Sequence, residues 1–281
     1  MSYHLGLIGY PIKHSLSPWI HQQFLNQTGL KGTYDLFEFQ PDQDFSNDLD
    51  QLKEKNIHGF NVTVPYKEKI IHHLDALDHN AKAMGAVNTV YNRNGEWIGY
   101  NTDGIGYVRS LLNKFPQLER EKEKRILLIG AGGAARGIYY ALMIFGFSSI
   151  DIANRTLQSA RNIAHLRLNH VDTNVISLQK AETDLYEYDI IIQTTSVGMK
   201  PNIDHTIIHL SKVKTGCIVS DIVYQPIKTK FLTEAEKLGA SIHFGHTMLL
   251  YQAQAASEIW TFKKAKLNNL DQKLERKWRG E

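Results

Sequence analysis

Cysteine is all but absent. The 281-residue chain holds one, Cys217, so no disulfide can form within it, as expected of a protein from a reducing compartment. Cys217 lies in the apolar run 216–220, the setting of a buried structural thiol rather than a reactive one. No apolar run approaches the roughly 20 residues that a bilayer-spanning helix needs. The start Met1-Ser2-Tyr3-His4 lacks the basic region and apolar stretch of a secretory leader. An excess of one charge is missing too: 32 Lys and Arg face 29 Asp and Glu, for a formal net charge of +3. That balance, without a basic stripe or aromatic platform, argues against nucleic-acid and membrane partners. The 13 histidines, His72-His73 among them, match no ligand spacing, and no metal is expected. By default a cytoplasmic globular protein is expected, as a monomer or homodimer.

Length allows two domains. The first hundred residues alternate β-rich runs with amphipathic stretches. Leu5-Gly6-Leu7-Ile8-Gly9 reads as a strand, and 18–27 as a helix with Ile20 and Phe24 on one face, capped by Ser17, opened by Pro18 and stopped by Gly29. Strands follow at 34–39 and 59–64, and Pro65 opens a helix carrying Ile70, Ile71 and Leu74. This βα repetition predicts an α/β fold with an open, mostly parallel sheet. After a helix at 105–112 and a charged loop at 119–125, apolar strands fit at 126–129, 149–153, 189–194, 216–221 and 240–244. Those make a second, doubly wound Rossmann-like domain. The expected division is 1–104 for substrate binding and catalysis and 105–245 for the dinucleotide. Helices over 246–281 are expected to return to the first domain.

The strand 126–129 runs into Gly130-Ala131-Gly132-Gly133-Ala134-Ala135-Arg136-Gly137. Small residues let the backbone turn sharply and approach a pyrophosphate at the N-terminus of the next helix. A glycine-rich turn alone is weak evidence; between an apolar strand and a helix it points to a dinucleotide. NAD-binding versions usually carry an acid about 20 residues on, at the end of the second strand. Here Asn154-Arg155-Thr156 stands there, and the next acid downstream is Asp172. The Arg155 guanidinium suits a 2′-phosphate, with Asn154 and Thr156 adding hydrogen bonds. NADP is therefore the expected cofactor, although an exposed arginine ahead of a helix capped by Thr156 has the same pattern.

Polar groups also gather where strands of the first domain end. Ser15 and Ser17 precede a helix and suit a carboxylate, though plain capping by Ser17 fits equally. Strand alternation sends Asn61 and Thr63 to one face, and Lys67 follows at the carboxyl end, where open α/β sheets bind ligands. A surface lysine would look the same, but a cation in a first helical turn opposes the helix dipole. Asn88 interrupts an apolar stretch. Asp103 is either a helix cap or a site acid.

Together these segments resemble the shikimate dehydrogenase family: His14-Ser15-Leu16-Ser17-Pro18, Asn61-Val62-Thr63-Val64-Pro65-Tyr66-Lys67, Gly85 to Thr89, Asn101 to Gly104, Gly130 to Ala135, Asn154 to Thr156, Asp221-Ile222-Val223-Tyr224 and Gly245 to Gln252. They occur in the family's order over almost the whole chain. The resemblance implies an NADP-dependent oxidoreductase interconverting 3-dehydroshikimate and shikimate. It implies that Ser15 and Ser17 hold the substrate carboxylate, that Lys67 and Asp103 form the catalytic pair, and that Asn61, Thr63, Asn88, Tyr224 and Gln252 complete the substrate pocket. Ile222, Gly245 and Met248 would line the nicotinamide end, with Thr195 and Ser196 on the nearby loop. Gln193 stands where many relatives have asparagine, and Tyr66 where phenylalanine is common. Two rivals remain at this stage: a quinate/shikimate enzyme preferring NAD, and a non-catalytic NADP(H)-responsive binding module.

Overall fold

In the computed structural model, which describes residues 2–279, with side chains through residue 277, the chain divides into two compact units. The first comprises the chain up to Thr102 together with Leu250–Leu270, and the second Asp103–Leu249 together with the chain from Asp271 on.

The first unit begins β1 (Ser2–Gly9), α1 (Ser17–Thr28), β2 (Lys31–Glu38), α2 (Phe45–Glu54) and β3 (Gly59–Val62). It continues through β4 (Ala76–Leu77), α3 (His79–Met84), β5 (Thr89–Arg93) and β6 (Glu96–Tyr100). The strands order as β2-β1-β3-β5-β6-β4. β1 pairs in parallel with β2 and β3, and β4 with β6, while β5 runs antiparallel to both β3 and β6. The β5–β6 hairpin turns through Asn94 and Gly95, both at positive φ (55° and 97°), the combination a tight hairpin demands. α1 forms one position away from the expected cap: Leu16 is the N-cap, and the Ser17 N–H donates to Ser15 Oγ at 3.2 Å. Ser15 therefore does the capping and the Ser17 hydroxyl is released from it.

The α-helix expected from Pro65 does not form. Tyr66 N–H closes a turn on Thr63 O, a short 3-10 segment spans Lys69–His73, and Asp75 N–H is drawn onto Trp97 O beside β6. Sheet pairing overrides the apolar spacing of Ile70, Ile71 and Leu74. Lys67 thus sits in a turn, and the helix-dipole argument no longer applies to it.

The second unit comprises α4 (Asp103–Lys114), β7 (Arg125–Ile129), α5 (Gly133–Ile144), β8 (Ser149–Ala153), α6 (Leu157–Ala164), β9 (Val175–Ile176) and α7 (Leu178–Thr183). After these come β10 (Ile190–Gln193), β11 (Ile218–Asp221), α8 (Lys230–Lys237) and β12 (Ser241–Phe244). Two helices follow, α9 (Gly245–Thr261) and α10 (Leu270–Arg279). All strand pairs here are parallel, in the order β12-β11-β10-β7-β8-β9. Read from the other edge this is the doubly wound 3-2-1-4-5-6 arrangement, with its switch point between β7 and β10. Ile126, Leu127, Leu128 and Ile129 are wholly buried, as are Ile190, Ile191 and Ile192, because central parallel strands are covered on both faces.

The break between units falls after Thr102 rather than at 104, and it places Asp103 at the start of α4. The return of 246–281 to the first unit is likewise divided. Leu250–Leu270 groups with the first unit, where Trp260 Nε1 donates to Val90 O at 2.9 Å. The chain from Asp271 on groups with the second, where the buried His246 Nε2 meets Glu275 Oε1 at 3.1 Å.

Candidate active site

In the first unit the expected polar groups converge on one end of the sheet. Register sets Asn61 beside Leu7 on one side and Thr89 on the other, and Thr89 beside Tyr100. The carboxyl ends of β1, β3 and β6 thereby meet the start of β5. Gly9 permits this approach, since a Cβ there would lie 2.3 Å from the Thr63 methyl.

The buried Asn61 donates through Nδ2 to Asn88 O and to Thr89 Oγ1, each at 3.0 Å, and accepts from the Tyr34 hydroxyl at 2.8 Å. Its side chain is committed inside the protein, where it holds its neighbours. Asn88 Oδ1 accepts from Thr102 N–H at 2.7 Å, and Asn88 Nδ2 reaches Thr102 Oγ1 at 3.0 Å and Gln252 Oε1 at 3.5 Å. Ser15 Oγ donates to Ser17 Oγ at 3.1 Å. Thr63 and Lys67 are half-buried just beyond β3. Tyr34, Thr89 and Thr102 join this set without having been singled out as site residues. Thr89 and Thr102 lie inside motifs quoted above, whereas Tyr34 reads as an ordinary strand residue.

In the second unit the glycine-rich turn joins β7 to α5. Gly130 has φ 117°, and a Cβ there would sit 2.5 Å from Thr194 Oγ1, so glycine is required twice over. Gly132 is the N-cap of α5 with no side-chain capping bond, and a Cβ on Gly132 or Gly133 would meet nothing within 4 Å. The helix start is thus open and its N–H groups are left for an anion. A dinucleotide pyrophosphate fits this turn, with Ala131, Ala134 and Ala135 adding little bulk.

Beyond β8, Asn154 Nδ2 donates to Thr156 O at 2.9 Å and closes a turn from which Arg155 projects exposed. Thr156 is the N-cap of α6, but its hydroxyl makes no capping bond. The acid within β8, Asp151, is consumed by Arg125, Tyr188 and Asn174, each at 2.9 Å. No carboxylate follows the strand to take ribose hydroxyls, which favours a phosphorylated ribose.

The loops after β10 and β11 are tied together beneath the surface. Gln193 Nε2 donates to Val197 O and to Asp221 Oδ1, each at 3.1 Å, and Gln193 Oε1 accepts from Thr195 N–H. Asp221 also accepts from Val223 N–H at 2.9 Å and from the Thr229 hydroxyl at 2.7 Å. Burial pushes its carboxyl up to about 6 against these three donors. Thr195 and Ser196 follow directly on this lattice. A Cβ on Gly245 would lie 2.3 Å from Ile222 O, so that glycine brings the start of α9, with Met248, against the loop that carries Ile222 and the exposed Tyr224.

Among the described residues no group of three or more His, Cys, Asp or Glu is arranged to hold a metal, and no helix is long and apolar enough to cross a membrane.

Known proteins share this plan. A family model for the shikimate dehydrogenase substrate binding domain matches residues 7–90, and one for shikimate / quinate 5-dehydrogenase matches 112–222. The shikimate dehydrogenase (NADP(+)) of Oceanobacillus iheyensis is 50% identical over 284 aligned positions that cover 100% of both chains. Among solved structures, a shikimate dehydrogenase in complex with NADP+ aligns with TM-score 0.86 and 38% identity over 95% of this chain and 92% of that one. The Listeria monocytogenes shikimate 5-dehydrogenase, in complex with shikimate and NAD, aligns with TM-score 0.88 and 32% identity, covering 97% and 96%. Matched in both halves and across its full length, the chain belongs to the shikimate dehydrogenase family.

Proposed function

We propose that this chain is an NADP-dependent oxidoreductase, a shikimate dehydrogenase that interconverts 3-dehydroshikimate and shikimate in the pathway to aromatic amino acids. It works in the cytoplasm as a monomer or homodimer. The observation that carries the reading is the meeting of Asn88 and Gln252, 164 positions apart, at 3.5 Å beside the Asn61–Thr89–Thr102 group. Such a dense set of amides and hydroxyls at the carboxyl end of an open sheet suits a small polyhydroxylated ring.

The reduced nicotinamide, when bound, supplies the hydride. The chain's own part is positioning and charge. Ser15 and Ser17 bind the ring carboxylate, and Thr63, Asn88, Tyr224 and Gln252 take the hydroxyls. Asn61 keeps Asn88 and Thr89 in place. Negative charge grows on the ketone oxygen during reduction, and the Lys67 ammonium, a compact cation with three donors, stabilises it and stands ready to give a proton. Asp103 takes a substrate hydroxyl. The open turn at Gly132 and Gly133 takes the pyrophosphate, Asn154, Arg155 and Thr156 the 2′-phosphoadenosine, and Thr195, Ser196, Ile222, Gly245 and Met248 the nicotinamide end.

One assay on purified protein tests this: nicotinamide absorbance with shikimate or quinate, each against NADP+ or NAD+. Turnover should be fastest by far with shikimate and NADP+. A preference for quinate and NAD+ would favour the first rival, and no turnover with any pair would favour the binding module.

A further inference from the structure

His243 on β12 is buried, and both of its ring nitrogens are engaged. Nδ1 lies 2.8 Å from the Oγ of Ser220, its register partner on β11, and Nε2 lies 2.8 Å from Ser110 Oγ on α4. Ser110 Oγ is in turn 2.5 Å from Thr247 Oγ1 in the first turn of α9, and Thr247 Oγ1 donates to Phe244 O at 2.8 Å. A longer contact of 3.5 Å joins Nε2 to Thr247 Oγ1. Tyr107, also on α4, stands edge-on to the imidazole at 5.6 Å between centroids and 88° between planes. Side chains from β11, β12, α4 and α9 thus meet inside the second unit.

Hydrogen counting fixes the direction of every bond. Burial lowers the imidazole to about 3, so at ordinary pH it is neutral and carries one ring hydrogen. A carbonyl only accepts, so the single Thr247 hydrogen goes to Phe244 O. Two hydroxyl oxygens 2.5 Å apart then need the Ser110 hydrogen between them. Ser110 has none left for His243, so Nε2 is the protonated nitrogen and donates to Ser110. Nδ1 is bare and accepts from Ser220. The chain Ser220, His243, Ser110, Thr247, Phe244 O uses each hydrogen once, and Ser110 is its link to α4.

Phe244 O is the last carbonyl before Gly245, and Thr247 immediately precedes Met248, two residues assigned to the nicotinamide end. Ser110 sits about two turns along α4 from Asp103. We propose that Ser110 is a positioning residue for hydride transfer: through the chain centred on His243 it fixes the first turn of α9, with Gly245 and Met248, against the helix that starts at Asp103. The proposal rests on the assignment of those three residues to nicotinamide and substrate. None of the linked side chains needs to touch either ligand; they act through the backbone they join.

The test is Ser110→Ala, which breaks the link between α4 and α9 and leaves the Ser220–His243 and Thr247–Phe244 bonds. With shikimate and NADP+, kcat should fall about tenfold, since a small misplacement away from the chemistry is read in rate. KM for shikimate and the affinity for NADPH should stay within about twofold. Thr247→Val, which cuts the same link from the α9 side, should behave alike. A kcat within twofold of wild type, or a loss in KM or cofactor affinity as large as that in kcat, would overturn the proposal. Should neither variant fold, nitrogen NMR of the His243 ring in the wild-type protein decides. It should show Nε2 protonated and Nδ1 bare, with resonances that move on adding NADP+ but not on adding adenosine 2′,5′-bisphosphate, which lacks the nicotinamide. The opposite tautomer, or resonances that ignore NADP+ or answer both ligands alike, rejects the role. If the wild-type protein turns over no shikimate, the functional reading itself fails, separately from Ser110.

Discussion

Gln193 and Asp221 join the carboxyl ends of β10 and β11 side chain to side chain, Gln193 Nε2 donating to Asp221 Oδ1 at 3.1 Å. The same amide holds Val197 O and the Thr195 N–H, so one side chain fixes the loop that follows β10 and ties it to the loop after β11. Asparagine is one methylene shorter and cannot make all of these bonds at once. Gln193→Asn should weaken NADPH binding about tenfold, corresponding to about 1–2 kcal/mol for hydrogen bonds lost beneath the loop. Fluorescence titration checks this, and an affinity within twofold of wild type would show that the loop needs no such tie.

Asp221 gives the second unit a stability term of unusual sign. Its carboxyl is buried and raised from an ordinary 3.8 to about 6. Between those values the native state holds a proton that the unfolded chain has released. Stability from this group therefore falls as pH rises from about 4 to about 6, by about 3 kcal/mol at most, and is flat above. Buried His21 and His243 act the other way. Burial lowers both to about 3, so the unfolded chain binds more protons below 6.5 and stability falls as pH drops. The Asp221 part is isolated by comparing wild type with Asp221→Asn in urea from pH 4 to 7. Wild type should lose stability relative to the variant as pH rises through this range, and parallel curves would show that Asp221 keeps an ordinary pKa.

These features differ in how far the sequence announces them. The Ile126–Ile129 run and the glycines after it were legible because a strand covered on both faces must be apolar throughout and a turn against Thr194 must be glycine. The Asn94–Gly95 hairpin carries its signal in that dipeptide, inside a stretch whose βα rhythm otherwise points to parallel pairing. The stretch after Pro65 misled for a physical reason: Ile70, Ile71 and Leu74 have helical spacing, but the Asp75 bond to Trp97 O takes the chain into sheet pairing. Ser15, Ser17, Asn61 and Asn88 could be named as candidates, while the bond from the Tyr34 hydroxyl to Asn61 spans 27 positions and is encoded by no local pattern.

Arg155 stands exposed just past β8, and no carboxylate follows that strand to bind ribose hydroxyls. Its guanidinium is the positive group that a 2′-phosphate would find there, and hydrogen bonds between charged groups are the strong ones. Arg155→Ala should weaken NADPH about 10- to 100-fold, a loss of about 1.5–3 kcal/mol, and leave NADH within about twofold. Parallel titrations with the two reduced cofactors decide the matter. Equal losses would mean that Arg155 serves the adenosine they share rather than the phosphate that distinguishes them.

Lys67 follows β3 in a turn whose backbone is anchored, its carbonyl accepting from Val87 N–H at 2.8 Å. The side chain can therefore change while its place in the chain does not. Replacement by methionine keeps much of the length and removes the ammonium, separating charge from packing. If Lys67 stabilises the oxygen of the reacting carbonyl and delivers its proton, Lys67→Met should lower kcat at least about 100-fold, the lower end of what general acid–base catalysis supplies. KM for shikimate should move far less, because an interaction made mainly in the transition state is read in kcat. NADPH binding should be unaltered. Turnover within a few-fold of wild type would remove Lys67 from the chemistry, and a rise in KM with kcat intact would make it a binding residue only.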